Sequence, residues 1–446
     1  MTAKLSGYPV FQLDGVAEQA SESLKPVQTG RVTDVVGTLI RASGVSARVG
    51  ELCQLFDTQT GFEALAEVSG FSSGDVLLSP LGSVDGLSPT TQVVALKRDH
   101  RVCVGDFLLG RVVDGMGRRF VDTDMLVTDD RITVPVWGEA PSPFERKPIR
   151  SAMALGVRAI DGLLTMGHGQ RVGIFAPAGC GKSTLMSMMC RNADVDVTIV
   201  ALVGERGREV LEFVEEALTP ETRQKTVLVV ATSDRPPTER LKASFVATAY
   251  AEYFRSQGKS VLLLVDSVTR LARAAREIGL AAGEPATRRG FPPSVFTLLP
   301  KLFERAGSYR NGSITAFYTV LEESDDHTDP VAEEVRSLLD GAISLSRQLS
   351  GSGHFPAIDI LSSISRLMPR LVSPDHQSMA LRARQLLARY SDVELLLRIG
   401  EYQRGVDDVA DASIDAHEPM ISFLQQTPEE TVDTDETLRV LTESLR

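Results

Sequence analysis

The stretch GIFAPAGCGKSTL, residues 173–185, decides the fold. The apolar run RVGIFA (171–176) reads as a buried strand, a glycine-rich turn follows, and a helical pattern opens at Lys182. That order is the context of a phosphate-binding loop, G-x-x-x-x-G-K-[ST], met except that Ala176 stands at its first position. Gly179 and Gly181 let the backbone curl without Cβ clashes. From Ala178 the loop runs through Gly179, Cys180 and Gly181 to Lys182, Ser183 and Thr184, and its N–H groups can point at phosphate oxygens beside a helix N-terminus. Lys182 then suits the β- and γ-phosphates of ATP, and Ser183 suits Mg²⁺. The bland alternative, a ligand-free turn, gives no reason for Gly-Lys-Ser.

Working outward, VDVTIVALVG (195–204), KTVLVVATS (225–233), SVLLLVDS (260–267) and GSITAFYTVL (312–321) are near-continuous apolar runs separated by helical stretches. Strands apolar on both faces describe a parallel sheet covered on both sides. Asp266 closes one such strand at the sheet's C-terminal edge, where open α/β sheets bind ligands and where a carboxylate can anchor a metal shell. Glu205 follows the strand IVALVG at the same edge. Two readings stand for it: a base for the water that attacks the γ-phosphate, or a surface pair with Arg206.

The flanks differ in style. From Arg31 to about Leu96 the segments are short, β-branched and Gly-punctuated, with turns every 8–12 residues, as in a small antiparallel barrel. Residues 104–122 read as a junction and Pro141–Pro148 as an extended linker. Beyond Pro374 the patterns are those of amphipathic helices. The expected domains are 1–95 (barrel, oligomerisation), 96–346 (α/β catalytic core) and 347–446 (helical, partner recognition).

Composition narrows the class. The 446 residues carry 47 Lys/Arg against 59 Asp/Glu, a net charge of -12, which disfavours general nucleic-acid binding. The acidity is uneven: residues 406–446 hold eleven Asp/Glu and two Arg. Two readings of that end stand, a docking face for a basic protein partner and a solubilising tail. Four cysteines with no C-x-x-C, and six scattered His, give neither a disulfide framework nor a metal cluster. No apolar run nears the roughly 18–20 residues of a membrane span, and the N-terminus lacks a signal-peptide core.

Together GIFAPAGCGKST, LVGERGREV (202–210), ATSDRPPTERLKA (231–243), the run from LLLVDSVTR to LFERAG, and SRQLSGSGHFPAIDILSSISRLMPR (346–370) resemble the type III secretion ATPases. These are relatives of the flagellar export ATPase and of the rotary ATP synthase catalytic subunit. The resemblance runs from about residue 30 to 405. It implies an N-terminal β-barrel, a RecA-like core, a C-terminal helical domain and a homohexamer that hydrolyses ATP with Mg²⁺. It also implies catalytic roles for Glu205 and Lys182, Asp266 and Ser183 at the metal, and Arg270 reaching the γ-phosphate in the same subunit. Arg366 becomes an arginine finger offered to the neighbouring site, and Phe355 stacks on adenine.

The implied function is release of chaperones from effectors and their unfolding at the export gate. The implied partners are stator and central-stalk proteins and chaperone–effector complexes. The implied place is the bacterial cytoplasm, peripheral to the inner membrane. The cysteine in AGCGKST favours an injectisome over a flagellum, and Gly207 disfavours the synthase subunit. An RNA-translocating ring needs a basic, aromatic barrel, whereas residues 1–95 carry five Lys/Arg and ten Asp/Glu. A binding-only ring subunit would lose Glu205, which is present.

VLEESDDHTDP (320–330) departs from the family's usual Val-Glu-Gly-Asp-Asp. The window 270–310 holds eight Lys/Arg against three Glu, which reads either as solvated faces or as a pore-facing loop around Arg288–Pro293. Met186, Met188, Met189 and Trp137 read as packing, Cys180 as a small loop residue, and His168 and His354 as loop positions with ordinary hydrogen bonds.

Overall fold

The computed structural model describes residues 28–118, 132–322 and 329–445; the 320–330 departure lies largely outside them. Thr29–Val36, Leu39–Ser43, Asp75–Pro80, Glu63–Ser72, Glu51–Phe56 and Gln92–Asp99 close into a six-stranded barrel in that order. Alternate side chains fill it: Ile40, Ala42, Cys53, Leu55, Ala66, Val68, Leu78 and Val93 share one interior cluster. The barrel is tied to the core by a buried polar knot. Lys242 pairs with Glu67 and lies 3.1 Å from His100 Nδ1, while Trp137 Nε1 donates to Glu67 at 2.9 Å. Trp137 also packs on Phe245, with ring centroids 4.4 Å apart. Burial, and secondarily the Lys242 charge, pushes the His100 imidazole down to about 3, so it is neutral at physiological pH.

The core is a nine-stranded sheet. Its main path runs Ile358–Ser365, Gly341–Leu345, Arg171–Ala176, Ser313–Leu321, Ser260–Asp266, Val197–Val203, Thr226–Ala231, Val112–Asp114. All neighbours on this path are parallel except the first pair, which is antiparallel. The five apolar runs quoted above are five of these strands. The edge strands escaped notice: Val112–Asp114 has only three residues, inside the stretch read as a junction. Ile358–Ser365 is half exposed, so it lacks the continuous apolar signature. Its main-chain pairing with Gly341–Leu345 carries the sheet past the expected division at residue 346.

Three helices, Pro374–Arg398, Asp408–Leu424 and Thr434–Ser444, complete the chain. Ser373, Asp407 and Asp433 cap them by accepting N–H groups of the first turn. Leu386, Met420, Phe423 and Leu441 are buried in the same apolar cluster as Met186, Met188 and Met189 of the phosphate-loop helix. The acidic end is therefore folded onto the core, which corrects its reading as a tail. No helix among the described residues is long and apolar enough to cross a membrane.

Candidate active site

The parallel strands deliver their C-terminal ends to one edge. The strand Arg171–Ala176 runs through the loop 177–181 into the helix Lys182–Asn192, whose N-cap is Gly181 at φ +80°. This left-handed conformation is why glycine stands there: an added Cβ would have room, its nearest neighbour being the Phe355 ring at 3.6 Å. Ala178, Gly179, Ser183 and Thr184 are exposed on the loop and first turn, whereas Cys180 is buried.

Lys182, the first helical residue, reaches across this edge. Its Nζ lies 2.5 Å from Asp266 Oδ1 and 3.7 Å from Glu205 Oε1. Asp266 is buried and also accepts from Thr319 Oγ1 at 2.7 Å. Arg270, in the first turn of the helix Val268–Ala281, lies 3.0 Å from Glu205 Oε2 and donates to the carbonyl of Gly204. Gly204 has φ +69°, and a Cβ on it would sit 2.9 Å from Arg270 Cδ. Glycine is thus required both by its backbone conformation and by the approach of the guanidinium.

Two buried carboxylates meet two half-buried cations here. Burial pushes the Glu205 carboxyl up to about 7; the charge of Asp266 adds to this, and Lys182 and Arg270 oppose it. Glu205 Oε1 is buried and makes no hydrogen bond among the described residues. It is a carboxylate with an open lone pair, poised to titrate near neutral pH, as a general base requires. A cavity of about 350 Å³ opens beside it, lined by Ser183, Thr184, Glu205, Asp266 and, on the far side, Pro428 and Glu429.

No group of three or more His, Cys, Asp or Glu among the described residues could cage a metal. Mg²⁺ does not need one, since it keeps waters and binds through one or two protein oxygens plus substrate phosphates. The Ser183 hydroxyl and the Asp266 carboxylate line one cavity beside the loop, so the donor set fits such an ion.

The sequence-predicted residues divide in two. Lys182, Ser183, Glu205, Asp266 and Arg270 converge. Phe355 joins them: its ring lies beside Gly181 and is 44% exposed. Arg366 does not. Leu345 pairs with Ile358 and Gly341 with Ser365, so the last strand runs back against the parallel ones. Phe355, before that strand, lies at the phosphate-loop edge, and Arg366, after it, at the opposite edge. Eight residues of strand at about 3.3 Å each separate them by roughly 25 Å. The Arg366 side chain is exposed and makes no hydrogen bond or ion pair among the described residues.

Thr319, Pro428 and Glu429 carried no sequence signal, because nothing in a strand interior or a distant acidic loop announces proximity to this edge. His354 corrects an expectation: its buried Nε2 has no hydrogen-bond partner among the described residues. His168 does have one, Ser260 Oγ at 3.1 Å.

Comparison with known proteins gives three family matches. The ATP synthase alpha/beta family nucleotide-binding domain covers residues 156–365, and that family's β-barrel domain covers 32–97. The T3SS EscN ATPase C-terminal domain covers 372–443. The chain is 51% identical over 413 residues to a type 3 secretion system ATPase of Xanthomonas euvesicatoria, spanning 93% of each chain. It is 45% identical over 414 residues to a flagellum-specific ATP synthase of Bacillus subtilis, spanning 93% of this chain and 94% of that one. Among solved structures it is similar to the assembled ATPase EscN in complex with its central stalk EscO from enteropathogenic E. coli. That likeness has a TM-score of 0.86 and 46% identity over 94% of this chain and 100% of that one.

Proposed function

Since the chain belongs to the type 3 secretion system ATPase family, sharing ATP hydrolysis with it, we propose how its own residues perform that reaction and for what purpose. Lys182 and the loop N–H groups bind the β- and γ-phosphates of ATP. Ser183 and Asp266 hold Mg²⁺, which when bound neutralises phosphate charge. Glu205 takes the proton of the attacking water while Lys182 and Arg270 preplace positive charge beside the phosphoryl group. Phe355 stacks on the adenine.

The observation that carries this reading is the cluster in which Lys182 bridges Asp266 and Glu205 while Arg270 holds the second Glu205 oxygen, leaving the buried Oε1 without a hydrogen bond among the described residues. The test is Glu205→Gln. It is expected to bind a fluorescent ATP analogue within about threefold of the parent and to lose at least ~10³ of steady-state turnover, toward the upper end of what general bases contribute. Undiminished turnover would remove Glu205 from the mechanism.

The working unit is a homohexamer in which Arg366 completes the neighbouring subunit's site. The far-edge position and open guanidinium of Arg366 support this, as does the apolar exposure of Leu361 and Ile364 on the same edge strand. The purpose is to detach chaperones from effectors and unfold them for export. The ring works at the cytoplasmic face of the bacterial inner membrane, with stator, central-stalk and export-gate partners. Apolar Leu395, Ile399 and Val406, each at least 60% exposed near the turn between the first two C-terminal helices, offer a docking surface for such cargo. The injectisome reading is preferred to the flagellar one on identity, 51% against 45%.

A further inference from the structure

We propose that Asp340 and Gln170 are positioning residues for Arg366, which they anchor to the strand that ends in the subunit's own phosphate loop. This rests on the reading of Arg366 as a finger acting in trans.

The main chain at Arg366 is held by one carbonyl. The Arg366 N–H donates to Asp340 O at 3.1 Å, and Gln170 Nε2 donates to the same oxygen at 3.3 Å. Gln170 is fully buried. Its Nε2 also lies 3.2 Å from Ser365 Oγ, and its Oε1 accepts from Gly167 N at 2.9 Å. Ser365 Oγ in turn donates to Thr165 O at 2.8 Å. Both residues at the finger's root are thus pinned through the Gln170 amide.

The Asp340 carbonyl is itself fixed by its own side chain. Its carboxylate accepts from Arg171 N at 3.2 Å and from Arg171 Nε at 3.1 Å, and its N–H donates to Arg171 O at 2.8 Å. Glu304 accepts from Arg171 Nη1 at 2.5 Å, and Arg171 Nη2 donates to the other Asp340 oxygen at 3.4 Å. Gly341 allows the close approach: a Cβ there would sit 2.9 Å from Ile364 O. Arg171 opens the strand that reaches the phosphate loop after Ala176.

An arginine is long, and its head is useful only where the transition-state charge develops. A misplacement of about 1 Å can cost on the order of 10²-fold in rate. At the free end of an edge strand, such placement needs an anchored root. This node supplies one, and Arg171 ties it to the strand that leads into the phosphate loop.

The test uses the full-length assembled protein with Gln170→Met, Gln170→Glu and Asp340→Asn. Gln170→Glu keeps size and the acceptor for Gly167, but sets an oxygen against the Asp340 carbonyl. The expected result is a 10–100-fold fall in kcat with KM for ATP changed less than about threefold. Combined with Arg366→Ala, these variants should lose nothing more than Arg366→Ala alone. Mixed with Lys182→Ala subunits, whose root and finger are intact, they should regain turnover. Losses that add to those of Arg366→Ala, no recovery in mixtures, or a matching loss of nucleotide affinity would assign the node to stability alone. Full turnover by Arg366→Ala would instead sink the finger reading itself, a separate outcome.

Discussion

The two edges of the central sheet are built on opposite principles. At the C-terminal edge of the parallel strands, Lys182, Glu205, Asp266 and Arg270 are buried or half-buried, and they satisfy and perturb one another. At the other edge Arg366 stands exposed with an anchored backbone and a head that makes no hydrogen bond or ion pair among the described residues. Buried opposite charges are tolerable only when paired. A charge meant for another molecule must stay in water until it arrives. The contrast is what the proposal requires, in which one subunit carries most of one active site and a fragment of the next.

The sharpest way to break this comparison is to disable each edge separately. Arg366→Ala and Lys182→Ala rings should each lose on the order of 10³–10⁵ in turnover. Mixtures of the two should recover part of it, because some sites then combine an intact loop with an intact finger. An ATPase assay across mixing ratios checks this, and a flat, inactive series would return Arg366 to a surface role.

A smaller effect separates the edges by pH. Glu205 sits well above the ordinary carboxylate range, at about 7, and must be ionised to act as a base. Activity is therefore lost as pH falls through about 7, and kcat/KM, which reports the free enzyme, should show this limb. Arg366→Ala should keep the same limb at a lower rate, since the limb belongs to Glu205. A limb near pH 4.5 in the parent would mean that burial does not govern Glu205.

The smallest expected change lies at the base side. Phe355→Ala should raise KM for ATP about tenfold, from the loss of ring stacking worth ~1–3 kcal/mol, while Phe355→Tyr stays within about twofold. Nucleotide titrations of both variants decide it, and an unchanged Phe355→Ala affinity would place the adenine elsewhere.

The C-terminal segment shows how a correct count can mislead. Its surplus of acidic residues suggested either a docking face or a tail, but Phe423 and Leu441 are buried and Glu429 reaches the phosphate cavity. Removing it from Thr427 onward would expose core, so truncation does not isolate a docking function. The charge lies on the outward faces of helices whose inner faces are apolar, and composition averages the two.

The phosphate loop, the acidic strand end and the glutamate after it were legible because each is local. Glycines at positive φ, a lysine at a helix start and a carboxylate at a strand terminus are imposed within a few residues of chain. The apolar runs likewise fixed a parallel sheet, since both its faces are covered. Tertiary structure alone decided which charges meet, that burial outweighs Lys182 and Arg270 in setting the Glu205 carboxyl, and that the last strand reverses. That reversal puts Phe355 and Arg366 at opposite edges although only ten residues lie between them in sequence. The reason is physical: strand direction and long-range desolvation arise from pairing and packing between distant segments, which no local pattern contains.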